Sequence, residues 1–219
     1  MPDHALQLDI VSDTICPWCW IGKRHLAAAL PLLAAEGLTF ATTWRPFQLN
    51  PTMQAGGVDR RIYRTAKFGS WERSQAMDAQ VARAGASVGL DFRFDRMVRT
   101  PNTVASHVLL RLALEQAGPA RQDQLAETMF AAYFNQGADI GDLATLAAIG
   151  AAAGIDTATL PDPTAHDAVR AEEAATRRSD LDGVPSFILE GHLLFSGAQP
   201  VGTMVQALRQ ATVALNQAA

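Results

Sequence analysis

The two cysteines of the chain lie three positions apart near its N-terminus, in the stretch SDTICPWCWIGKRHL. Cys16 and Cys19 are the only cysteines among the 219 residues. A pair at this spacing can ligate a metal, close a disulfide or exchange electrons with another thiol. A structural zinc site usually has four ligands, whereas this sequence has no second C-x-x-C pair and only 5 scattered histidines. We therefore favour redox chemistry and predict no metal site, with two inert buried thiols as the remaining alternative.

Pro17 predicts that a helix begins directly after Cys16, because the missing N–H of proline is tolerated at the first helical position. Cys16 is then the N-cap, where its sulfur can accept a hydrogen bond from the N–H of Trp18 or Cys19. The helix dipole acts in the same direction, and both effects favour the thiolate, which is the attacking species. We predict Cys16 as the exposed nucleophile and Cys19, on the same helical face, as the more buried resolving thiol.

Three further positions are candidates for the site. Asp13 precedes the pair and is a candidate for tuning the pKa values of the cysteines. A structural role, in which Asp13 ends the strand and stabilises the turn, is slightly favoured. Trp18 stands between the cysteines and is predicted to face outward, so that it can contact a substrate. Asn102 follows a proline and precedes an apolar-periodic run, which favours a helix cap over a ligand contact.

The elements that must position these residues form a β-α-β unit. Alternating apolar residues predict a first strand before the cysteines, and residues 17–30 predict a helix that Pro31 should kink or end. The segment LTFATTWRPFQLN predicts a second strand that reaches about Phe47. Strands in such a unit are parallel and adjacent, so the cysteines should lie at the carboxyl end of the first strand.

The middle of the chain has a different character. Four helical patterns, each closed by a glycine, occupy most of residues 51–163, without a fixed repeat. The last part predicts a helix that ends at Gly183, a hairpin that turns at Glu190 and Gly191, and a final helix from Pro200. We therefore predict an α/β domain built from residues 1–50 and 164–219, with residues 51–163 inserted as a helical subdomain.

Several motifs together resemble a known family. CPWC at the start of the first helix and GVPSF before the late hairpin resemble the two active-site elements of the thioredoxin fold. The helical insertion resembles the DsbA-like branch of that fold. Within this branch, SDTICPWCWIGKRHL, TPNTVASH, ETMFAAYFNQGADIGD and GVPSFILEGHLLFSGAQP resemble the FrnE-like dithiol–disulfide oxidoreductases over nearly the whole chain.

The resemblance implies a thioredoxin-like α/β fold with a large all-helical insertion between its second and third strands. It implies that the Val184–Pro185 bond is cis, that Pro185 faces the cysteine pair, and that the backbone of Val184 pairs with bound substrate. Pro17, Trp18, Val184, Pro185 and Asn102 are the implied substrate-binding residues. Ser186 departs from the aromatic residue expected after this proline.

These observations predict a cytoplasmic thiol–disulfide oxidoreductase, a reductase or isomerase that acts on protein or small-molecule disulfides. No cofactor is required, and glutathione is a candidate redox partner or ligand. One alternative is a glutathione-dependent enzyme similar to kappa-class glutathione transferases or 2-hydroxychromene-2-carboxylate isomerases, which have serine at the position of Cys16. The other alternative is a chaperone-like binding module without redox turnover.

The charge and the hydropathy of the sequence indicate which classes of binding partner are not expected. The net charge of −4 and the isoelectric point near 5.7 give no reason to expect binding to nucleic acid or anionic lipid. No apolar run is long enough for a membrane span, and the N-terminus lacks the pattern of a secretory signal. The expected compartment is therefore the cytoplasm, while the oligomeric state stays open.

Overall fold

The computed structural model describes residues 5–178, 181 and 183–218. The strands of its main sheet come from the two ends of the chain, and helices dominate the middle. In chain order the elements are β1 (Leu6–Ser12), α1 (Pro17–Ala34), β2 (Phe40–Pro46), β3 (Val58–Asp59), α2 (Arg60–Phe68), α3 (Trp71–Ala86), β4 (Arg99–Thr100), α4 (Val104–Phe134), α5 (Leu143–Ala152), α6 (Pro163–Arg177), β5 (Ser186–Leu189), β6 (His192–Ser196) and α7 (Val201–Ala218).

A four-stranded sheet in the order β2-β1-β5-β6 carries the site. β1 pairs in parallel with β2 over its whole length, as the β-α-β pattern predicts. β5 lies on the other side of β1 and runs antiparallel to it, with Val11 opposite Ser186. The predicted α/β fold, with a large helical region between the second and third strands of this sheet, is confirmed.

The inserted region contains more than the predicted helices. β3 and β4 form a short antiparallel ladder within it, and α2 was not expected from the sequence. Two of the predicted helical patterns form the single long element α4, which bends where Gly118 takes a φ of 80° and Pro119 follows. The division of the chain into residues 1–50 with 164–219 and residues 51–163 stays a prediction.

Other local predictions have mixed outcomes. The hairpin turns at Glu190 and Gly191, whose φ values of 48° and 80° are those of a tight two-residue turn. Pro31 does not end α1, which continues for three more residues to Ala34, and Pro31 itself is exposed. α6 ends at Arg177 rather than at Gly183, and residues 179, 180 and 182 lie outside the described part of the chain.

An aromatic cluster packs the helical region against the sheet layer. Phe130 of α4 lies between two tryptophans, with ring centroids 6.3 Å from Trp20 of α1 and 6.0 Å from Trp44 of β2. Phe134, one helical turn on, stacks 6.0 Å from Trp20. The helix that carries the cysteines is thus fixed from the side of the insertion. None of the helices in the described ranges is long and apolar enough to cross a membrane.

Candidate active site

Cys16 occupies the junction between β1 and α1. Its backbone is extended, with φ −92° and ψ 111°, and Pro17 is the first helical residue, so Cys16 is the N-cap as predicted. The predicted hydrogen bond from a backbone amide to its sulfur is wrong. The N–H of Cys19 donates to the backbone carbonyl of Cys16 at 3.0 Å. The Cys16 sulfur instead turns toward Val184, to whose carbonyl oxygen the thiol donates at 3.7 Å.

Both thiols are free and neither is open to bulk solvent. Cys16 is 4% exposed and Cys19 0%. The expectation of an exposed nucleophile is therefore wrong, although Cys19 is the more buried of the two. Burial, and next the neighbouring Cys16 side chain, raise the pKa of Cys19 well above its usual range, against smaller opposing contributions from Ser12 and Asp13. Cys19 is consequently a protonated thiol at neutral pH.

The sheet register brings Val184 and Pro185 to the cysteines. Because β1 and β5 run antiparallel with Val11 opposite Ser186, the residues just before β5 lie beside the residues just after β1. The Val184–Pro185 bond is cis, as the resemblance implies. Ser186, the departure from the expected aromatic residue, is fully buried and donates to the Gly183 carbonyl at 2.6 Å.

Gly22 allows α1 to approach the proline closely. A Cβ atom built at this position would lie 2.9 Å from Cγ of Pro185, closer than side chains tolerate. Gly22 lies on the buried side of α1, one turn beyond Cys19. The absence of a side chain at this position therefore sets the distance between the cysteine helix and the proline.

The Gly22→Ala substitution should push these two elements apart. Overpacking of this kind costs about 1–3 kcal/mol of unfolding free energy, which denaturant titration will measure. The matched control is Gly202→Ala in α7, where a new Cβ meets nothing within 4 Å, so that only the gain from the higher helix propensity of alanine, up to about 1 kcal/mol, is expected. A Gly22→Ala protein as stable as the Gly202→Ala protein would contradict the packing described above.

Asp13 holds the turn between β1 and α1. Its carboxylate is fully buried and accepts hydrogen bonds from the N–H of Leu49 at 2.7 Å and of Ile15 at 3.4 Å. The Nε2 atom of His107 lies 3.6 Å from the carboxylate and 3.0 Å from the Phe47 carbonyl oxygen. These contacts are those of a structural brace, and a role of Asp13 in tuning the cysteines stays a prediction.

A cavity of about 370 Å³ opens beside Cys16. Pro17, Trp18 and Val184 line it, and Trp18 is 38% exposed, so the outward orientation predicted for this tryptophan is present. Another part of the lining comes from the helical region. Sequence reasoning named Phe68 and Phe94 among aromatic residues that could line a groove, and both line this cavity, but it missed the charged residues of α2 because α2 itself was not predicted. This part of the lining includes Arg60, Tyr63, Arg64, Lys67 and Phe68 of α2, Met77 and Asp78 of α3, and Tyr133 and Phe134 of α4.

Asn102 does not line this cavity. Its side-chain amide donates to the Met53 carbonyl oxygen at 2.6 Å, and its side-chain oxygen accepts from the N–H of Val104 at 3.0 Å. These bonds cap the start of α4 and fix a loop, and Asn102 lines a different cavity. Its substrate-binding role therefore gains no support from a contact near the cysteines.

Comparisons with known proteins agree with this geometry. A family model described as a DSBA-like thioredoxin domain matches residues 7–209. The chain is 26% identical over 203 residues to the uncharacterized protein YwbO of Bacillus subtilis (strain 168), covering 89% of this chain and 91% of that protein. The crystal structure of the probable DsbA oxidoreductase SCO1869 from Streptomyces coelicolor superposes with a TM-score of 0.82 at 32% identity, covering 94% of this chain and 89% of that one.

A more distant structure shares the fold. The cytosolic disulfide reductase DsbM from Pseudomonas aeruginosa, solved with GSH, superposes with a TM-score of 0.63 at 21% identity. The superposition covers 96% of this chain and the whole of that one, 100%. Nearly the whole chain thus shares one such architecture.

Proposed function

Because the chain belongs to the DSBA-like thioredoxin domain family, we propose that it is a thiol–disulfide oxidoreductase whose reactive groups are Cys16 and Cys19. One observation carries this proposal. The Cys16 sulfur lies at the N-terminus of α1, 3.7 Å from the Val184 carbonyl oxygen, at the wall of a cavity large enough for a small ligand. The site therefore combines a nucleophile, a peptide segment that can align the substrate, and a cavity that can hold it.

The two thiols have different roles because their surroundings differ. The Cys16 thiol, which donates to the Val184 carbonyl oxygen, first loses its proton to solvent. The resulting thiolate attacks one sulfur of the substrate disulfide, so that a Cys16–substrate bond forms and the other substrate sulfur leaves as a thiolate that takes up a proton. Cys19, after losing its proton, attacks the Cys16 sulfur and releases the second substrate thiol. The substrate gains two electrons and two protons, and the protein is left with a Cys16–Cys19 disulfide.

The segment before β5 is suited to align the substrate. The ladder between β1 and β5 begins at Ser186, so the main chain of Val184 precedes it and borders the cavity. A substrate strand that pairs with Val184 would place its disulfide next to Cys16. Pro17 and Trp18 border the same space and supply apolar contact surface.

We propose the reductive or isomerising direction and a reducing compartment, the cytoplasm. The fold is shared with a structure named a cytosolic disulfide reductase and solved with GSH. A reducing thiol pool keeps a pair of this kind mostly in the dithiol state. Glutathione is accordingly a candidate electron donor that returns the Cys16–Cys19 disulfide to the dithiol. Membership of the FrnE-like branch remains part of the proposal.

A Cys19→Ser variant should trap the reaction halfway. Without the resolving thiol the Cys16–substrate disulfide accumulates, because serine cannot attack the mixed disulfide. Mass spectrometry of the variant after exposure to a disulfide substrate should show one adduct per chain, which a dithiol reductant removes. The matched control is the Cys16→Ser, Cys19→Ser double variant, which should form none. An adduct on the double variant, or none on Cys19→Ser, would refute the assigned roles.

A further inference from the structure

The cavity beside Cys16 has a cationic wall. Arg60, Arg64 and Lys67 of α2 line it, and their spacing of four and three residues places them on one face of the helix. This wall contrasts with the chain as a whole, whose net charge is −4. The positive charge of this wall is therefore a local feature of the cavity, since the chain as a whole is negatively charged.

The described lining residues do not neutralise this charge. Asp78 is the one carboxylate among them, and both arginines share it, with Arg60 donating at 2.6 Å and Arg64 at 2.8 Å. The Lys67 ammonium contacts neutral oxygens instead, the Tyr63 hydroxyl at 2.7 Å and the Asn50 side-chain oxygen at 3.2 Å. Three cations thus face one anion in this part of the cavity.

Aromatic rings hold two of the cationic heads at the wall. The Arg64 guanidinium lies 4.7 Å from the centre of the Phe68 ring, and the Lys67 ammonium 5.3 Å from that of Tyr63. Burial lowers the pKa of Arg64, Asp78 opposes this effect, and the positive charge of Arg60 adds to it. The Arg64 guanidinium donates from Nε to the Ser74 hydroxyl at 2.5 Å and from Nη2 to Asp78 at 2.8 Å, so that among the described residues its Nη1 atom is the one with no protein acceptor and can bind a carboxylate in the cavity.

We propose that Arg64 and Lys67 are specificity-determining residues that select small disulfides carrying a carboxylate close to the reactive sulfur. The inference rests on the proposed function of Cys16, which shares the cavity with both residues. A volume of about 370 Å³ suits a small molecule. The carboxylate binds Arg64 and Lys67 while the neighbouring sulfur is attacked by Cys16, with the same exchange of bonds and electrons as above.

The test uses three small disulfides of similar size and different charge. Dithiodipropionate is anionic, hydroxyethyl disulfide is neutral and cystamine is cationic. The fully reduced protein is mixed with each in excess, and the single-turnover rate of Cys16–Cys19 disulfide formation is measured. We expect the anionic probe to react about tenfold faster than the neutral one, as charge-assisted hydrogen bonds of this strength allow. Cystamine should be slowest, and salt should reduce the differences.

Lys67→Gln and Arg64→Gln should each bring the ratio of the anionic to the neutral rate toward one. The ratio is the diagnostic quantity, because a changed reactivity of Cys16 would alter both rates together. Arg61→Gln is the matched control: Arg61 lies on the same helix, is exposed and does not line the cavity, so its loss should leave the ratio unchanged. Thermal unfolding of each variant checks that the fold is intact.

The outcomes separate this inference from the function on which it rests. If all three probes oxidise the wild type at one rate, or if both Gln variants keep the wild-type ratio, the selection by Arg64 and Lys67 is refuted while the dithiol chemistry stands. If no probe oxidises the wild type faster than an unstructured dithiol peptide, the proposed function itself fails. If Arg61→Gln lowers the ratio as much as Lys67→Gln does, general surface charge explains the preference, and the assignment to the cavity is wrong.

Discussion

The Cys16→Ser variant should lose disulfide exchange, with a rate that is lower by more than about a thousandfold, as is usual when a nucleophile is removed. A serine hydroxyl is far less acidic than a thiol and forms no disulfide, so neither the first attack nor the reverse reaction remains. The measurement is reduction of a protein disulfide in the presence of a dithiol donor. Cys16 is 4% exposed, and the two side chains are similar in size, so the fold should persist.

The controls for this experiment are the thermal unfolding and the circular dichroism of the variant, which should match those of the wild type. The Cys19→Ser variant provides a second reference, because it keeps the nucleophile and should still form the mixed disulfide. Exchange by Cys16→Ser at a rate near that of the wild type would end the oxidoreductase proposal. A chaperone-like module, the alternative without redox turnover, would in that case become the better hypothesis.

The Phe130→Ala substitution should have the largest effect on stability. Phe130 is 2% exposed, and its ring packs against Trp20 and Trp44, so truncation leaves a cavity between α4, α1 and β2. Substitutions of this kind cost about 3–5 kcal/mol of unfolding free energy. Urea titration will measure the loss as a shift of the midpoint at unchanged slope.

Two further variants calibrate this effect. Phe130→Leu keeps most of the apolar volume and should lose clearly less than Phe130→Ala. Ile62→Ala removes a side chain of α2 that is 67% exposed and should change the unfolding free energy by no more than about 0.5 kcal/mol. A loss below about 1 kcal/mol in Phe130→Ala would show that the aromatic cluster does not join the helical region to the sheet.

Parts of the site that depend on neighbouring residues could be predicted from the sequence. Pro17 predicted the helix start and the N-cap position of Cys16, and Glu190–Gly191 predicted the hairpin turn. The β-α-β order predicted the parallel pairing of β1 and β2. These features follow from backbone preferences and from handedness rules that act over a few residues or one connection. The resemblance to the DsbA-like branch added the cis bond before Pro185.

The environment of the cysteines was decided by tertiary structure. The Cys16 sulfur contacts Val184, 168 positions away in sequence, instead of an amide of its own helix. The side chain is 4% exposed, so the local cap pattern predicted the position of Cys16 in the fold but neither the partner of its sulfur nor its burial. Asn102 shows the same limit, because its hydrogen bonds to Met53 and Val104 turn it to a different cavity.

The cationic wall shows the difference most clearly. Arg60 and Arg64 are ordinary surface-type residues in the sequence, and their shared partner Asp78 lies 18 and 14 positions away on another helix. The charge of a cavity depends on which groups the fold gathers, and desolvation and Coulomb energies depend on distance in space. By itself, therefore, the sequence determined the candidate cysteine pair and the elements that carry it. Only the tertiary packing, with α3 against the cysteine helix and α2 against α3, decided which charged groups share a cavity with that pair.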